Sequence, residues 1–434
     1  MVINVADIAP LPDEDPDGFW DARNILRHIH DFAKHKRRSP WAVLGCVLIR
    51  TSAAIPAHVA LPAEFGNPLS LNVTLALAGP SGSGKDSAMG AARQAIDFAG
   101  PGWEAPLYLP VGSGEGVARV FHVDRDATGD PVVDKDGVPA KPIARSAIFT
   151  ASEIDKLAAL MTRSGSTLDA VLRDLFTGGD LGFTNSGRDT RTHVPAGTYR
   201  ACVYVGVQPG KAAPLLDGSG GTAQRILWAP TQDPDVDDKR PPCQKPAEVT
   251  RARGVLWPTE ITLPVFVTAA MDAHQVAMNR GQVDGNDGHL LAIQAKVMTL
   301  LAVLDGRVSP NEDDWALAGQ VVATSNATRA AVAQTVADQA RQTNRAKAHA
   351  AADRETIIAA RLEEEAQQRT AKIITRKLER VGAEGATRRD LLAACRSTLR
   401  DVFPTVFDLF IDKKFIVPVA GDGFAQRYRL NTDE

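Results

Sequence analysis

Apolar residues recur at helical spacing from Phe19 (Phe19, Ile25, Leu26, Ile29, Phe32, Ala33) and again from Trp41 through Leu48. This predicts a small helical domain reaching to about Ala54. The pattern then changes. Residues 71–78 form a continuous apolar run closing on a Gly-rich turn, as a parallel strand buried on both faces does. Further along, the chain reads as a helix over 87–98, a strand over 107–111, a helix over 115–121 and a strand over 147–151. Residues 153–176 are largely helical, 199–207 form a β-branched strand, and 226–229 form a last short strand. Helix and strand in alternation predict an α/β core. A stretch rich in Asp, Gly, Pro and Lys (122–142) reads as a surface insertion, and 230–246 as a Pro- and Asp-rich connection.

Residues 264–280 and 288–335 look helical, broken at Asp305-Gly306 and Ser309-Pro310. From 327 to 380 the chain is mainly Ala, Gln, Glu, Arg and Lys, which favours a long solvated helix acting as a spacer. The last fifty residues predict a helix with a Thr387 cap, a second helix over 406–415, and a hairpin turning at Gly421-Asp422-Gly423. That is the pattern of a winged helix. The expected domains are therefore 1–66 (helical, with an acidic, Pro-rich tail over 1–15), 67–235 (α/β core), 236–335 (helical), 336–382 (linker) and 383–434 (winged helix).

With 44% hydrophobic and 23% charged residues the composition is that of a soluble globular protein. The formal net charge of −3 means that any nucleic-acid contact must come from local patches. One such patch is Lys34-His35-Lys36-Arg37-Arg38, which is either a solvated helix end or a DNA or phosphate contact. Four scattered cysteines, with no CxxC pair, argue against a disulfide framework or zinc site and fit a reducing cytoplasm. No stretch approaches the roughly 20 apolar residues of a membrane span, and the first residues do not read as a secretion signal. A cytoplasmic location without a membrane partner is expected.

The strongest chemical signal is Gly79-Pro80-Ser81-Gly82-Ser83-Gly84-Lys85, which follows the buried strand and opens a helix. Glycines let backbone N–H groups turn inward around phosphate oxygens, the helix N-terminus adds a favourable dipole, and Lys85 adds a cation. ATP with Mg²⁺ is the expected ligand, cradled by residues 79–87 with Asp86 and Ser87 at the helix start. Two positions depart from the usual pattern. The Ser or Thr that normally follows the lysine and holds Mg²⁺ is Asp86. The strand over 147–151, which should end in Asp-Glu, ends in Ser152-Glu153. The two changes read as an exchange. Asp86 is then the expected Mg²⁺ ligand, Ser152 its hydrogen-bonding neighbour, and Glu153 the metal-associated base that polarises water. The alternative is a site that binds nucleotide without hydrolysing it.

Other features sit where a ring ATPase would place them. Residues 181–194 alternate around a Gly-containing turn and predict a β-hairpin with Arg188 and Arg191 near its tip. It is either a surface decoration or a single-strand phosphate contact like the channel hairpin of superfamily 3 helicases. Gln208 ends the 199–207 strand, where a sensor would meet the γ-phosphate or the attacking water. Arg225 precedes the last strand, either paired with a local carboxylate or reaching a neighbouring subunit's nucleotide as an arginine finger. A shared site of that kind requires a closed ring, commonly a hexamer. The Gly112–Gly116 stretch is either a helix-initiating turn lining the channel or a tight connection.

Taken together, these residues resemble a family of phage, plasmid and prophage replication ATPases, over about Phe19 to Arg329. The resemblance rests on Ser39-Pro40-Trp41-Ala42-Val43-Leu44-Gly45, Leu71-Asn72, Gly112-Ser113-Gly114-Glu115-Gly116, Glu153, Gly165-Ser166-Thr167-Leu168, Gln208-Pro209, Gln224-Arg225-Ile226-Leu227-Trp228 and Asp313-Asp314-Trp315-Ala316-Leu317-Ala318. The family is similar to superfamily 3 and AAA+ helicases. It implies an AAA+-like parallel-sheet ATPase, a homo-oligomeric ring translocating on single-stranded DNA. Residues 264–335 would be a helical lid, with His289 or Lys296 as sensors. The winged helix would bind duplex DNA through Lys413 and Lys414 or, alternatively, dock a protein. A nucleotide-gated scaffold and a small-molecule phosphotransferase are the competing functions. The hairpin, Arg225 and the winged helix count against the phosphotransferase.

Overall fold

The computed structural model describes residues 16–63, 67–126, 130–184, 191–216, 221–236, 238–251, 255–282, 288–419 and 425–432. Arg188, the 1–15 tail and the Gly421-Asp422-Gly423 turn lie outside them. The chain divides into two compact units, Met1–Gln339 and Ala340–Glu434.

The first unit is built on five parallel strands: β1 (Thr74–Ala78), β2 (Leu107–Pro110), β3 (Ser146–Ala151), β4 (Arg200–Val207) and β5 (Ile226–Pro230). They lie in the order β5-β1-β4-β3-β2. The P-loop-like α/β core expected from the alternating pattern is therefore present. β4 is inserted between β1 and β3, so Ala78 pairs with Val207 while Ala151 pairs with Val205.

Both faces of the sheet are covered, which is why its strands read as unbroken apolar runs. Leu75, Leu77, Ile148, Cys202 and Tyr204 face one core; Ala76, Phe149, Val203, Val205 and Trp228 face the other. The first core includes the helices Asn24–His35, Pro40–Ala54, Lys85–Ala95 and Leu290–Leu304. The N-terminal helices thus share the core of the sheet, where the sequence suggested a domain of their own. Pro40–Ala54 is buried at all but two positions, Trp41 and Arg50. A helix apolar around its circumference needs cover on every side. Gly45 lets it approach β1, since a Cβ there would lie 2.7 Å from Leu75 Cδ1. Gly45→Val is expected to cost about 1–3 kcal/mol by overpacking. Urea denaturation measures this, and an unchanged midpoint would show that Leu75 can move aside.

The helix expected over 87–98 stops at Ala95, because Ile96–Ala99 pairs in parallel with Ala247–Thr250. Leu290–Leu304, taken as part of a lid, is almost wholly buried in the first core. The break at Asp305-Gly306 is present, with Gly306 at φ 76°.

A helix spans Glu312–Val381. In the first unit its opening turns bury Trp315, Leu317, Ala318, Val321 and Val322. In the second unit its closing turns contribute Ile374 and Leu378 to a separate core with Leu391, Phe403, Val406, Phe407 and Ile416. There Arg388–Ala394 begins with a capping box between Thr387 and Asp390. Phe403–Asp412 follows, and Ile416–Val419 pairs antiparallel with Arg427–Leu430, which also pairs with Ala386–Thr387. Among the described residues no helix is long and apolar enough to cross a membrane.

Candidate functional site

The candidate phosphate loop Gly79–Lys85 leaves β1 at the C-terminal edge of the sheet, where open α/β sheets bind ligands. The Gly79 N–H donates to the Val207 carbonyl (3.0 Å), tying the loop's first residue to the inserted strand β4. Gly82 and Gly84 have φ of 76° and 83°, a left-handed backbone that a side chain would strain. Gly84 is the N-cap of the helix Lys85–Ala95. Gly79 is constrained differently, since a Cβ there would collide with the Thr231 hydroxyl. Thr231 follows β5 and clamps the loop, donating to Ser83 Oγ (2.7 Å) while lying 3.2 Å from the Ala78 carbonyl. Pro80 and Ser81 are exposed at the loop's outer turn.

Lys85 Nζ donates to the carbonyls of Gly79 (3.1 Å) and Pro80 (2.8 Å), so its ammonium lies within the loop. Partial burial lowers its pKa, opposed by the carboxylates of Asp86 and Glu153. Both acids are thus in the electrostatic surroundings of this lysine. Ser87 donates to the Gly84 carbonyl at 2.9 Å, fixing the first turn.

Asp86 departs from its expected partnership. Its Oδ1 accepts from the Tyr204 hydroxyl at 3.4 Å, and among the described residues no hydrogen bond joins it to Ser152. The reason is the insertion of β4 between β1 and β3, which puts Tyr204 and Gly206 between the two loops. Ser152 contributes its backbone instead: a Cβ on Gly206 would run into the Ser152 carbonyl and lie 3.4 Å from Lys85 Cδ. Glu153 is exposed and N-caps the helix Ile154–Met161 without a side-chain cap bond. Gln208 follows β4 directly after Val207, whose carbonyl accepts from the Gly79 N–H. Lys211, unmarked by any motif in its own stretch, ion-pairs with Asp155 and lies in the field of Glu153.

Among the described residues no group of three or more His, Cys, Asp or Glu side chains converges as a metal cluster. Two exposed carboxylates beside a phosphate loop still suit Mg²⁺, a hard cation that keeps its waters and binds through one or two carboxylates plus phosphate oxygens. The left-handed Gly82 and Gly84 and the Lys85 ammonium held within the loop suit a polyphosphate.

The remaining candidates lie elsewhere. Arg225 precedes β5, whose first residue Ile226 pairs with Thr74. It is therefore at the opposite edge of the sheet from its own phosphate loop, about 15 Å away at roughly 3.3 Å per residue. Its Nη1 donates to the Gly221 carbonyl (2.9 Å), and Asp169 and Asp174 lie in its field. Lys296 and His289 are also at that edge, which overturns their reading as sensors of this chain's own nucleotide. Lys296 is buried, donating to the carbonyls of Asn72 (2.8 Å) and Phe176 (2.5 Å). His289 packs edge-on against Phe176.

Burial, with help from Arg225, Lys296 and His274, pulls the His289 pKa down to about 4. Between about pH 6.5 and about 4 the unfolded chain therefore binds a proton that the folded chain resists. Stability from this group is complete above that window and lost as pH falls through it. Denaturation midpoints should fall less steeply across the window in His289→Phe than in the wild type, and equal slopes would remove His289 as a cause.

The hairpin strands are present, with Leu181–Phe183 antiparallel to Thr192–Val194 and exposed Arg191 just ahead of the second. Its tip, with Arg188, lies outside the described residues. The Gly112–Gly116 stretch is a helix start: Ser113 caps the Gly116 N–H (3.2 Å), and Gly114 packs closely on Thr167. Lys413 and Lys414 do not lie on the face of the second helix of the C-terminal unit. That helix ends at Asp412, and Lys414 takes a left-handed φ of 58° in the turn beyond it. Cations there suit the helix's negative end.

No protein-family model matches the chain, and no curated protein sequence matches it either.

Proposed function

We propose that this chain is a P-loop ATPase that couples ATP turnover to movement on DNA as a ring of identical subunits, most simply a hexamer, in replication of a phage or other mobile element. One observation carries the nucleotide half of the reading. Gly79–Lys85, Glu153, Gln208 and Lys211 come from separate segments, yet all gather at the C-terminal edge of β1, β3 and β4.

Each group has a distinct task. The loop N–H groups and Lys85 hold the phosphates, and Gln208 and Glu153 orient and polarise the attacking water. Asp86 and Glu153 would hold Mg²⁺, which would neutralise charge developing on the transferred phosphoryl. Arg225, facing away from its own loop, is suited to act only on a neighbour's nucleotide, as the resemblance implies. The DNA half rests on that resemblance, on the 181–194 hairpin with Arg188 and Arg191, and on reading the last fifty residues as a winged helix in which Lys413 and Lys414 flank the second helix.

ATP hydrolysis with and without single-stranded DNA tests the whole. DNA should stimulate turnover, and Lys85→Ala should lower both basal and stimulated rates by about 10²–10³. The Asp86–Tyr204 bond supports one second reading, a nucleotide-gated scaffold whose carboxylate is occupied by a phenol. ATP binding without turnover would favour it.

A further inference from the structure

The basic run Lys34–Arg38 has no role in the site as built so far, and the structure distributes its five side chains unequally. Lys34 pairs with Asp233 (2.8 Å) and donates to the Asp235 carbonyl (2.6 Å). His35 Nδ1 meets the Pro241 carbonyl at 2.8 Å, and Arg37 donates to the Asp238 carbonyl at 2.5 Å. Lys36 lies over the Phe32 ring. Three of the five therefore fasten the segment that follows β5, the segment that begins with the loop clamp Thr231. Arg38 alone turns the other way. Its guanidinium occupies the space a Cβ would take on Gly84, against the last glycine before Lys85.

The backbone holds Arg38 there. Arg37 N–H donates to Lys34 O (3.1 Å) and Arg38 N–H to Ala33 O (2.9 Å), the paired bonds of a Schellman turn. The left-handed position of that turn normally falls to glycine, and here it is Arg37 at φ 55°. Ser39 then caps the helix Pro40–Ala54. Arg38 thus sits between a strained turn and the start of a buried helix, a rigid mount for a partly exposed cation. Lys85 reaches the loop from the helix it opens, and Arg38 from outside it, so two cations flank one set of phosphate-facing N–H groups.

We propose that Arg38 is a second cationic ligand of the nucleotide's phosphate chain, supplied by the same subunit. The ligand class is a nucleoside di- or triphosphate, and the proposal rests on the phosphate-loop reading. A guanidinium suits this place because its planar fork can engage a phosphate oxygen while stacking on backbone. Gly84 is then required for a further reason: any side chain there would displace the guanidinium.

Equilibrium titration of the full chain with ATP and ADP provides the test, using Arg38→Met, Arg38→Lys and Lys85→Ala. Arg38→Met keeps the apolar stem and removes the charge. It should weaken both nucleotides about tenfold or more, the worth of a charge-assisted bond. Arg38→Lys should recover part of the loss, with the unliganded melting temperature unchanged in both. Wild-type affinity in Arg38→Met alongside lost affinity in Lys85→Ala would overturn the Arg38 role and leave the phosphate loop standing. Equal loss in Met and Lys variants, with a lowered unliganded melting temperature, would make Arg38 a structural spacer and also overturn it. ATP affinity untouched by Lys85→Ala would overturn both readings together.

Discussion

Lys85→Ala is expected to lower the proposed ATP hydrolysis, basal and DNA-stimulated alike, by at least about 10²–10³, the usual cost of removing one preorganised group facing developing charge. The size follows from position. Lys85 is partly buried, its ammonium rests on the carbonyls of Gly79 and Pro80, and its aliphatic stem runs beside Gly206 and the Ser152 carbonyl. Water that fills the truncated site brings no fixed charge. Lys85→Arg should rescue little, since a planar fork cannot replace a compact ammonium in so close a turn. Folding stability should stay within about 0.5 kcal/mol, because the alanine removes no core contact. Steady-state turnover and chemical denaturation, measured together, check both halves. A variant keeping half of wild-type turnover would mean that the loop holds something other than the reacting phosphates.

Asp314→Ala should be the most damaging single change to the fold, at about 3–5 kcal/mol. This carboxylate is fully buried at the start of the helix Glu312–Val381. Its Oδ1 pairs with Arg23 (2.5 Å), and both oxygens accept from Arg307 at 2.8 Å. It also accepts from the Asn311 N–H (2.8 Å). Removing it strands two guanidinium groups whose remaining shared carboxylate is Asp305. The link joins the N-terminal helices to the helix that opens at Glu312, so the loss should propagate through the first core. Urea denaturation of the variant measures the cost, and a loss below about 1 kcal/mol would show that Asp305 alone can neutralise both arginines.

Local chemistry was legible in the sequence and long-range partnership was not. Strand positions, the Gly306 break and the Thr387 cap were readable because each depends on a few adjacent residues. The phosphate loop was readable for the same reason, since seven consecutive residues carry it. Residues 96–98 were misread as helix because the strand they pair with, Ala247–Thr250, lies about 150 residues away. Helical spacing from Trp41 through Leu48 was readable, yet nothing in it names the sheet that the helix covers. The same limit hid Thr231 and Lys211, each ordinary in its own stretch. The basic run ending in Arg38 was legible as a candidate phosphate contact, but not which of its side chains meets Gly84. His289 and Lys296 were misplaced for a related reason. Their assignment followed from treating 264–335 as a lid, whereas Lys296 is held at the far edge by the Asn72 carbonyl.

The strand order also has a consequence during synthesis. β1 carries the phosphate loop and emerges first among the five, yet its sheet neighbours are β4 and β5, the last two made. At about 5–20 residues per second, roughly 10–30 s separate the emergence of β1 from that of β5. Until β4 is made both hydrogen-bonding edges of this apolar strand are open, and one edge stays open until β5 follows. Only when Thr231 arrives behind β5 does the loop acquire its clamp. If the loop holds nucleotide as proposed, binding on the ribosome would report the moment the sheet closes, before Leu290–Leu304 and the opening turns of Glu312–Val381 complete the first core.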